Sequence, residues 1–410
     1  MRTRKNMPLL KLLMICFLTI YSCATFSPRP MDEVPFRERA QTQYENNVRV
    51  TAAVLSAEES EAVFGVPLYK KGIQPIWLEI ENNDEEPVWF LPVGLDPDYF
   101  APLEVAYMHH FAFSNEANQQ MDRNFHEKAM GKYIAAGSVT SGFVFTNLDL
   151  GTKNFNVDLV GEDPHVRTLT FFINVPGLRV DHHDVDWENL YSKHEIVGYD
   201  EEGLKRALER LPCCTTNQKG TKQGDPINVV FIGKGKDLHH ALIRGGWDET
   251  GTMETTSAVA KQHRYAPVSP LYFFGRPQDA AFRKARETAN ERNQLRVWLS
   301  PMTFEGTPVW VGQISRDIGL QFAGQTITYK LDSDMDEART YILQDFWYSQ
   351  SIVKYAYVKG VGASSISKQR KNLQGSSYFT DGYRVVFWVS SEPISFSEVE
   401  FVEWEIPRHR

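Results

Sequence analysis

The sequence predicts a multidomain α+β protein, an N-terminal antiparallel β-sandwich followed by a mixed α+β domain. Three observations carry that expectation. The chain has 410 residues, and at about 150 residues per domain two folded domains are the default. Up to Val175 it runs in short alternating apolar stretches separated by turn residues, the pattern of a sandwich. From Asn228 onward strands interleave with helices and hairpins, which suits an α+β domain better than a uniform parallel sheet. Composition is that of a globular chain, 42% hydrophobic and 23% charged.

Arg2, Arg4, Lys5 and Lys11 precede a short apolar stretch, Leu12 to Ile20, and then Ile20-Tyr21-Ser22-Cys23. A permanent span needs about 20 apolar residues, so this stretch reads as an export signal. Its ending resembles the lipobox of bacterial lipoproteins, which implies residues 1–22 as signal peptide and lipid, palmitate included, on Cys23. The alternatives are an uncleaved anchor or an ordinary secretory signal. The lipobox reading implies a lipid-anchored place in the bacterial cell envelope, periplasm-facing or on the outer membrane, with the membrane itself as a partner. Loss of the four basic residues with the leader takes the formal charge from −8 to −12. A nucleic-acid partner is thereby disfavoured, because such binding needs a clustered basic face. Residues 23–45 carry Pro28, Pro30 and Pro35 without apolar periodicity and predict a flexible tether.

The sandwich is expected over 46–178. Val48, Val50, Ala52 and Val54 alternate, Ile76 to Ile80 follows, and Glu81 to Asp84 turns the chain before Pro87 to Phe90. Phe143 to Phe145, Phe155 to Leu159 and Thr168 to Val175 read as further strands, with Leu150 to Lys153 as a hairpin turn. Met121, Phe125, Met130, Tyr133 and Ile134 predict one helix over 118–134. Residues 179–225 predict a connector with one helix, opened by Asp200, Glu201 and Glu202, striped by Leu204, Ala207, Leu208 and Leu211, and stopped by Pro212. Within it, the adjacent Cys213 and Cys214 read either as a redox-sensitive or metal-binding pair or as two small, partly buried residues.

The mixed domain is expected over 226–404. Asn228 to Ile232 is a buried strand that leads through Gly233-Lys234-Gly235 into a helix over 237–245. That turn lacks the longer Gly-rich spacing ending in Lys-Ser/Thr, so no nucleotide site follows from it. Residues 277–290 predict a helix; 294–299 and 308–314 predict a hairpin around Glu305-Gly306. Asp332, Asp334, Asp336 and Glu337 open a helix with Ala338, Tyr341, Ile342 and Phe346 on its apolar face. Val353 to Val358 and Tyr383 to Val389 supply two strands around the polar loop 364–377.

Three segments here form a pattern: Ser269-Pro270-Leu271-Tyr272-Phe273-Phe274-Gly275-Arg276-Pro277-Gln278-Asp279, Val309 to Asp317 with Ser315-Arg316-Asp317, and Lys330-Leu331-Asp332 through Asp336 to Arg339. With Leu295-Arg296-Val297-Trp298 they resemble the LssY C-terminal domain family over roughly 228–389. The resemblance implies a bacterial envelope module, sometimes set beside membrane phosphatase-like domains, whose own activity is unassigned. Gln294 and Tyr329 stand where the family often has histidine.

Arg276, Asp279, Arg316, Asp317, Asp336 and Arg339 are the candidate catalytic or anion-binding set. Arginine suits bidentate binding of carboxylate or phosphate oxygens, and aspartate can act as base or partner; the other reading is structural ion pairs at element junctions. Asp181, His182, His183 and Asp184 are candidate metal ligands, although the run is contiguous and lacks a matched distal pair. His239 and His240 cannot both face one site on a helix. The Asp332–Asp336 run departs from a calcium loop, because Glu337 stands where the sharp-turn glycine belongs. No cofactor is implied. The functional expectation is an envelope lipoprotein acting as a binding or assembly module, its partner an envelope protein or an anionic small molecule. The alternative is a hydrolase of a phosphorylated or other anionic envelope substrate.

Overall fold

The computed structural model describes residues 26–162, 166–178, 180–250, 269–286, 291–323 and 326–407, so the leader and Cys23 lie outside the described residues. The chain divides into two compact units, Met1–Asp149 with Phe155–Ile173, and Leu150–Asn154 with Asn174–Arg410. Each is a mixture of strands and helices, as the composition of apolar patterns predicts. Among the described residues no helix is long and apolar enough to cross a membrane.

The first unit is built on strands β1 (Gln41–Glu45), β2 (Val48–Val54), β3 (Ile73–Asn82), β4 (Val88–Leu91), β5 (Tyr133–Ile134), β6 (Ser138–Asn147), β7 (Thr152–Val160) and β8 (Val166–Asn174). They form two four-stranded sheets, ordered β1-β2-β3-β6 and β5-β4-β7-β8. Register fixes the faces. Ala53 lies opposite Trp77 and Trp77 opposite Phe143, and this face buries Phe64, Val105, Met121 and Phe125 from three helices. Phe64 sits 5.0 Å from Phe143 and 5.1 Å from Phe145, ring to ring. The opposite face, with Val50, Ala52, Ile76, Leu78 and Ile80, is also fully buried, and β7 turns Phe155, Val157 and Leu159 inward. A sandwich strand buries one face toward the partner sheet and turns the other outward; here the helices cover that second face as well.

Two expectations differ here for physical reasons. The helix expected over 118–134 spans Asn115–Glu127, and Tyr133–Ile134 is β5 instead. Phe143 N–H donates to Lys128 O and Met130 N–H to Phe143 O, so ladder bonds to β6 take over where the helical spacing would continue. Residues 26–45 do not form a free tether. Phe36 is fully buried, its ring 5.8 Å from those of Trp77 and Phe143; Arg39 pairs with Glu59, and β1 pairs with β2.

The second unit continues with β9 (Val197–Tyr199), β10 (Cys214–Thr216), β11 (Gln223–Pro226), β12 (Val229–Ile232), β13 (Asp248–Thr250), β14 (Tyr272–Phe273), β15 (Arg276–Pro277), β16 (Ala280–Ala285), β17 (Glu291–Phe304), β18 (Thr307–Ala323) and β19 (Thr326–Leu331). After these come β20 (Ile352–Lys359), β21 (Arg370–Lys371), β22 (Ser377–Tyr378), β23 (Tyr383–Val389) and β24 (Glu400–Val402). A ten-stranded sheet runs β13-β16-β17-β18-β12-β23-β20-β24, with β19 on β18 and β9 on β17. It is mixed: β12 pairs β18 antiparallel and β23 parallel. β17 and β18 make the expected hairpin, longer than the apolar runs suggested. Glu305 at φ 48° and Gly306 at φ 81° give the left-handed pair that a two-residue hairpin turn demands.

The helix expected over 277–290 is overturned: Ala280–Ala285 is β16, paired to β13 on one side and β17 on the other. Ladders on both edges outweigh the helix-forming composition of Ala280, Ala281, Lys284 and Ala285; residues 287–290 lie outside the described residues. Residues 179–225 contribute more than a connector. Asp200 caps the helix Glu201–Arg210 by accepting from Gly203 N–H, β9 joins the large sheet, and β10 and β11 join β14 and β15 in a small one. Asp334 accepts from Asp336 N–H at 3.1 Å and caps the helix Met335–Tyr348, so the Asp332–Asp336 run serves as a helix start.

Candidate functional site

The six residues of the Arg/Asp set fall at three junctions that, among the described residues, share no hydrogen-bond partner. In the first, the turn from β15 to β16 brings Arg276 onto Asp279, with Nε on Oδ1 and Nη2 on Oδ2, both at 2.8 Å. Arg276 also donates from Nη1 to Tyr191 Oη and from Nη2 to Leu299 O, each at 2.7 Å. Asp279 is 3% exposed and accepts from Leu299 N–H. Burial works against the Arg276 charge, but the bonds to and charges of Asp279 and Tyr191 together outweigh it and raise the pKa.

In the second, opposite residues of β17 and β18 put Arg292 against Asp317, at 3.1 Å, with Gln294 donating to the same carboxylate. Burial dominates and raises the Asp317 pKa. Arg316 points to the other face, donating to Asn293 and lying 5.2 Å above the Tyr341 ring. Gln294, one of the two positions where the family often has histidine, is thus a carboxylate partner inside the sheet.

In the third, Arg339 holds Asp381 in a two-point contact of 2.6 and 2.8 Å and reaches Tyr383 O. Asp336 accepts from Thr380 Oγ1 and from Asp381 N–H, each at 2.7 Å. Burial raises the Asp336 pKa. These contacts tie the start of the helix Met335–Tyr348 to the start of β23.

The contiguous acidic and histidine run behaves differently. His183 and Asp184 are exposed. His182 turns inward, its Nε2 3.2 Å from Glu249 Oε1, and His239 Nε2 comes to 2.8 Å of that same oxygen. The distal pair that the sequence did not reveal is therefore His239 and Glu249. His239 rides on the helix Gly235–Arg244; Gly246, at φ 74°, lets the chain double back into β13, which faces Glu249 toward the helix it just left. A carboxylate ten residues after a helical histidine, with paired glycines between, was the signal available. Glu249 is 2% exposed. Burial opposes its charge, but the bonds from His182 and His239 hold its pKa below the usual carboxylate range. His240 takes no part, and burial with the neighbouring His239 lowers its pKa to about 4.

A cleft of about 490 Å³ lies between the 181–190 segment and the Arg276–Asp279 turn, lined by Asp181, Asp184, Asp186, Asn189, Arg276 and Asp279. The lining is acidic, and its one arginine is already engaged. Cys213 and Cys214 form a vicinal disulfide, with Cα atoms 3.7 Å apart.

Residues 205–383 match the family described as LssY C-terminus, which identifies the matched part of the second unit as a module of that family. The matched range takes in all three Arg/Asp junctions together with His239 and Glu249, and leaves His182 outside. No curated protein matches the chain.

Proposed function

We propose that this protein is a cell-envelope lipoprotein, anchored through lipid on Cys23, whose folded units act as a binding or assembly module. The observation that carries the reading is the engagement of Arg276. A hydrolase working through this Arg/Asp set would need the Arg276 guanidinium free to meet the phosphoryl oxygens. Here Nε, Nη1 and Nη2 all donate to fixed acceptors, and the cleft beside them is lined by Asp181, Asp184, Asp186 and Asp279. Such a cleft repels an anionic ligand and suits a basic or neutral polar group of a partner protein.

The anchor has a geometric consequence. Phe26, three residues after Cys23, already packs in the core of the first unit. Three residues span at most about 11 Å, so lipid on Cys23 would hold that unit close to the bilayer surface.

Mass spectrometry of the mature N-terminus in the native host tests the anchor. Diacylated Cys23 is expected, and Cys23→Ser should leave the protein unprocessed or in the soluble fraction. An unmodified terminus at another residue would overturn it.

A further inference from the structure

We propose that His182, His239 and Glu249 form a binding site for one zinc ion, with the fourth coordination position open to solvent. Nothing in the family match assigns this site, which straddles the edge of the matched range.

The donor set is the first argument. Two imidazole nitrogens and one carboxylate oxygen are a zinc set that leaves a position for water, whereas soft-metal sites draw on thiolates. Spacing is the second. The three donor atoms lie within 4.8 Å of one another, and two of the separations are 2.8 and 3.2 Å. Ligands held tetrahedrally at about 2.0–2.1 Å from zinc stand roughly 3.3 Å apart, so the two histidine–carboxylate separations match to within about half an ångström and the two imidazole nitrogens, within 4.8 Å of each other, draw together by rotation of their side chains as the ion enters.

Electrostatics points the same way. Glu249 is buried, and its described partners are the two imidazoles and the Thr152 N–H, which meets Oε2 at 2.6 Å. Neither a lysine nor an arginine is among them. Buried carboxylates are generally paired with a cation or bound to a metal, and two rings converging on one oxygen leave room for the latter. The Thr152 bond also does what an outer partner does in metal sites, fixing the orientation of the ligand.

Placement does so too. The ligands come from three elements, the turn Asp181–His183, the helix Gly235–Arg244 and the edge strand β13. Phe282 flanks both rings, at 6.3 Å from His182 and 6.1 Å from His239, and forms an apolar wall. The imidazoles are 17% and 23% exposed while the carboxylate is 2% exposed, so the remaining coordination position looks outward. An ion there pins the 181–183 turn and the helix onto the end of the large sheet.

The test is to strip the full-length protein with a chelator, reload it with zinc chloride, and measure stoichiometry by plasma mass spectrometry and ligation by X-ray absorption. About one zinc per chain is expected, with a nitrogen and oxygen shell at about 2.0–2.1 Å. His239→Ala should weaken zinc binding by at least ~100-fold, because one of three ligands is gone. His183→Ala and His240→Ala should bind as the parent does. Glu249→Gln removes a buried carboxylate and can disturb folding, so the partly exposed His239 provides the deciding variant, with circular dichroism to confirm its fold. Failure to take up zinc on reloading, a sulfur shell from Cys213 or Cys214, or full affinity in folded His239→Ala would each overturn the site.

Discussion

The two units bury charge to different depths. The first closes on rings: Phe64, Phe125, Phe143 and Phe145 pack within 4.8 to 5.4 Å of their neighbours. Among its described ion pairs, Arg49 with Glu79 and Glu81 lies at the rim, about one-third exposed, and Arg39 with Glu59 and Arg167 with Asp84 are partly exposed. The second unit takes arginines inside. Arg296, Arg339 and Arg384 are 7%, 4% and 0% exposed, and each is held by fixed acceptors. Arg384 has no carboxylate among its described partners; it donates instead to Leu208 O, Leu211 O, Pro212 O, Ile227 O, Lys359 O and Gly360 O. It therefore joins the C-terminal end of the helix Glu201–Arg210 to the strands β12 and β20, where cationic charge also suits the helix dipole. The difference teaches that buried arginine here is first a fastening between elements, so an Arg/Asp cluster read from sequence is not by itself a ligand site.

Removing Arg384 should break the contrast most visibly. Arg384→Met strands several buried carbonyls at once and should cost about 5 kcal/mol. In calorimetry the loss should fall on the transition of the second unit alone. Phe143→Ala should cost about 4 kcal/mol through the cavity it leaves under the helices, this time in the first unit. Equal effects of both variants on both transitions would contradict independent cores.

Arg316→Gln sharpens the comparison at lower cost. Arg316 gives one hydrogen bond to Asn293 and a ring contact with Tyr341, so denaturant unfolding should show a loss of about 1 kcal/mol. Acidification should have a smaller effect. The folded pKa of His240 is lowered to about 4 and the unfolded value is about 6.5, so the unfolded chain takes up the proton first. Stability should then fall as pH drops from about 6.5 to about 4, by well under ~1 kcal/mol because the ring is half exposed and screened. His240→Gln should flatten this portion of a stability-against-pH curve, and an unchanged curve would sink the assignment.

What the sequence made legible follows from what is local. Alternation in Val48 to Val54, the Glu305-Gly306 turn and the Asp-rich opening of the helix Met335–Tyr348 depend on near neighbours and were readable. The strand Ala280–Ala285 was not, because its conformation is set by ladders to β13 and β17 rather than by its own helix-forming residues. Phe36 was lost in a proline-rich stretch that composition alone describes as a tether. The same limit applies to the sites. Residues three apart, Arg276 with Asp279 and Asp336 with Arg339, could be suspected as pairs, and both pairs meet. The meeting of His182 with Glu249 depends on a path of 67 residues, and Arg339's strongest partner, Asp381, is 42 residues away.

The most direct test is equilibrium unfolding of Arg276→Gln, run beside a calorimetric titration of parent and variant with inorganic phosphate. With Asp279 left buried and unpaired, the variant should lose about 3 kcal/mol, and neither protein should bind phosphate measurably at the acidic cleft. A variant as stable as its parent that has lost a phosphate affinity the parent possesses would contradict the account and make Arg276 a ligand-binding residue.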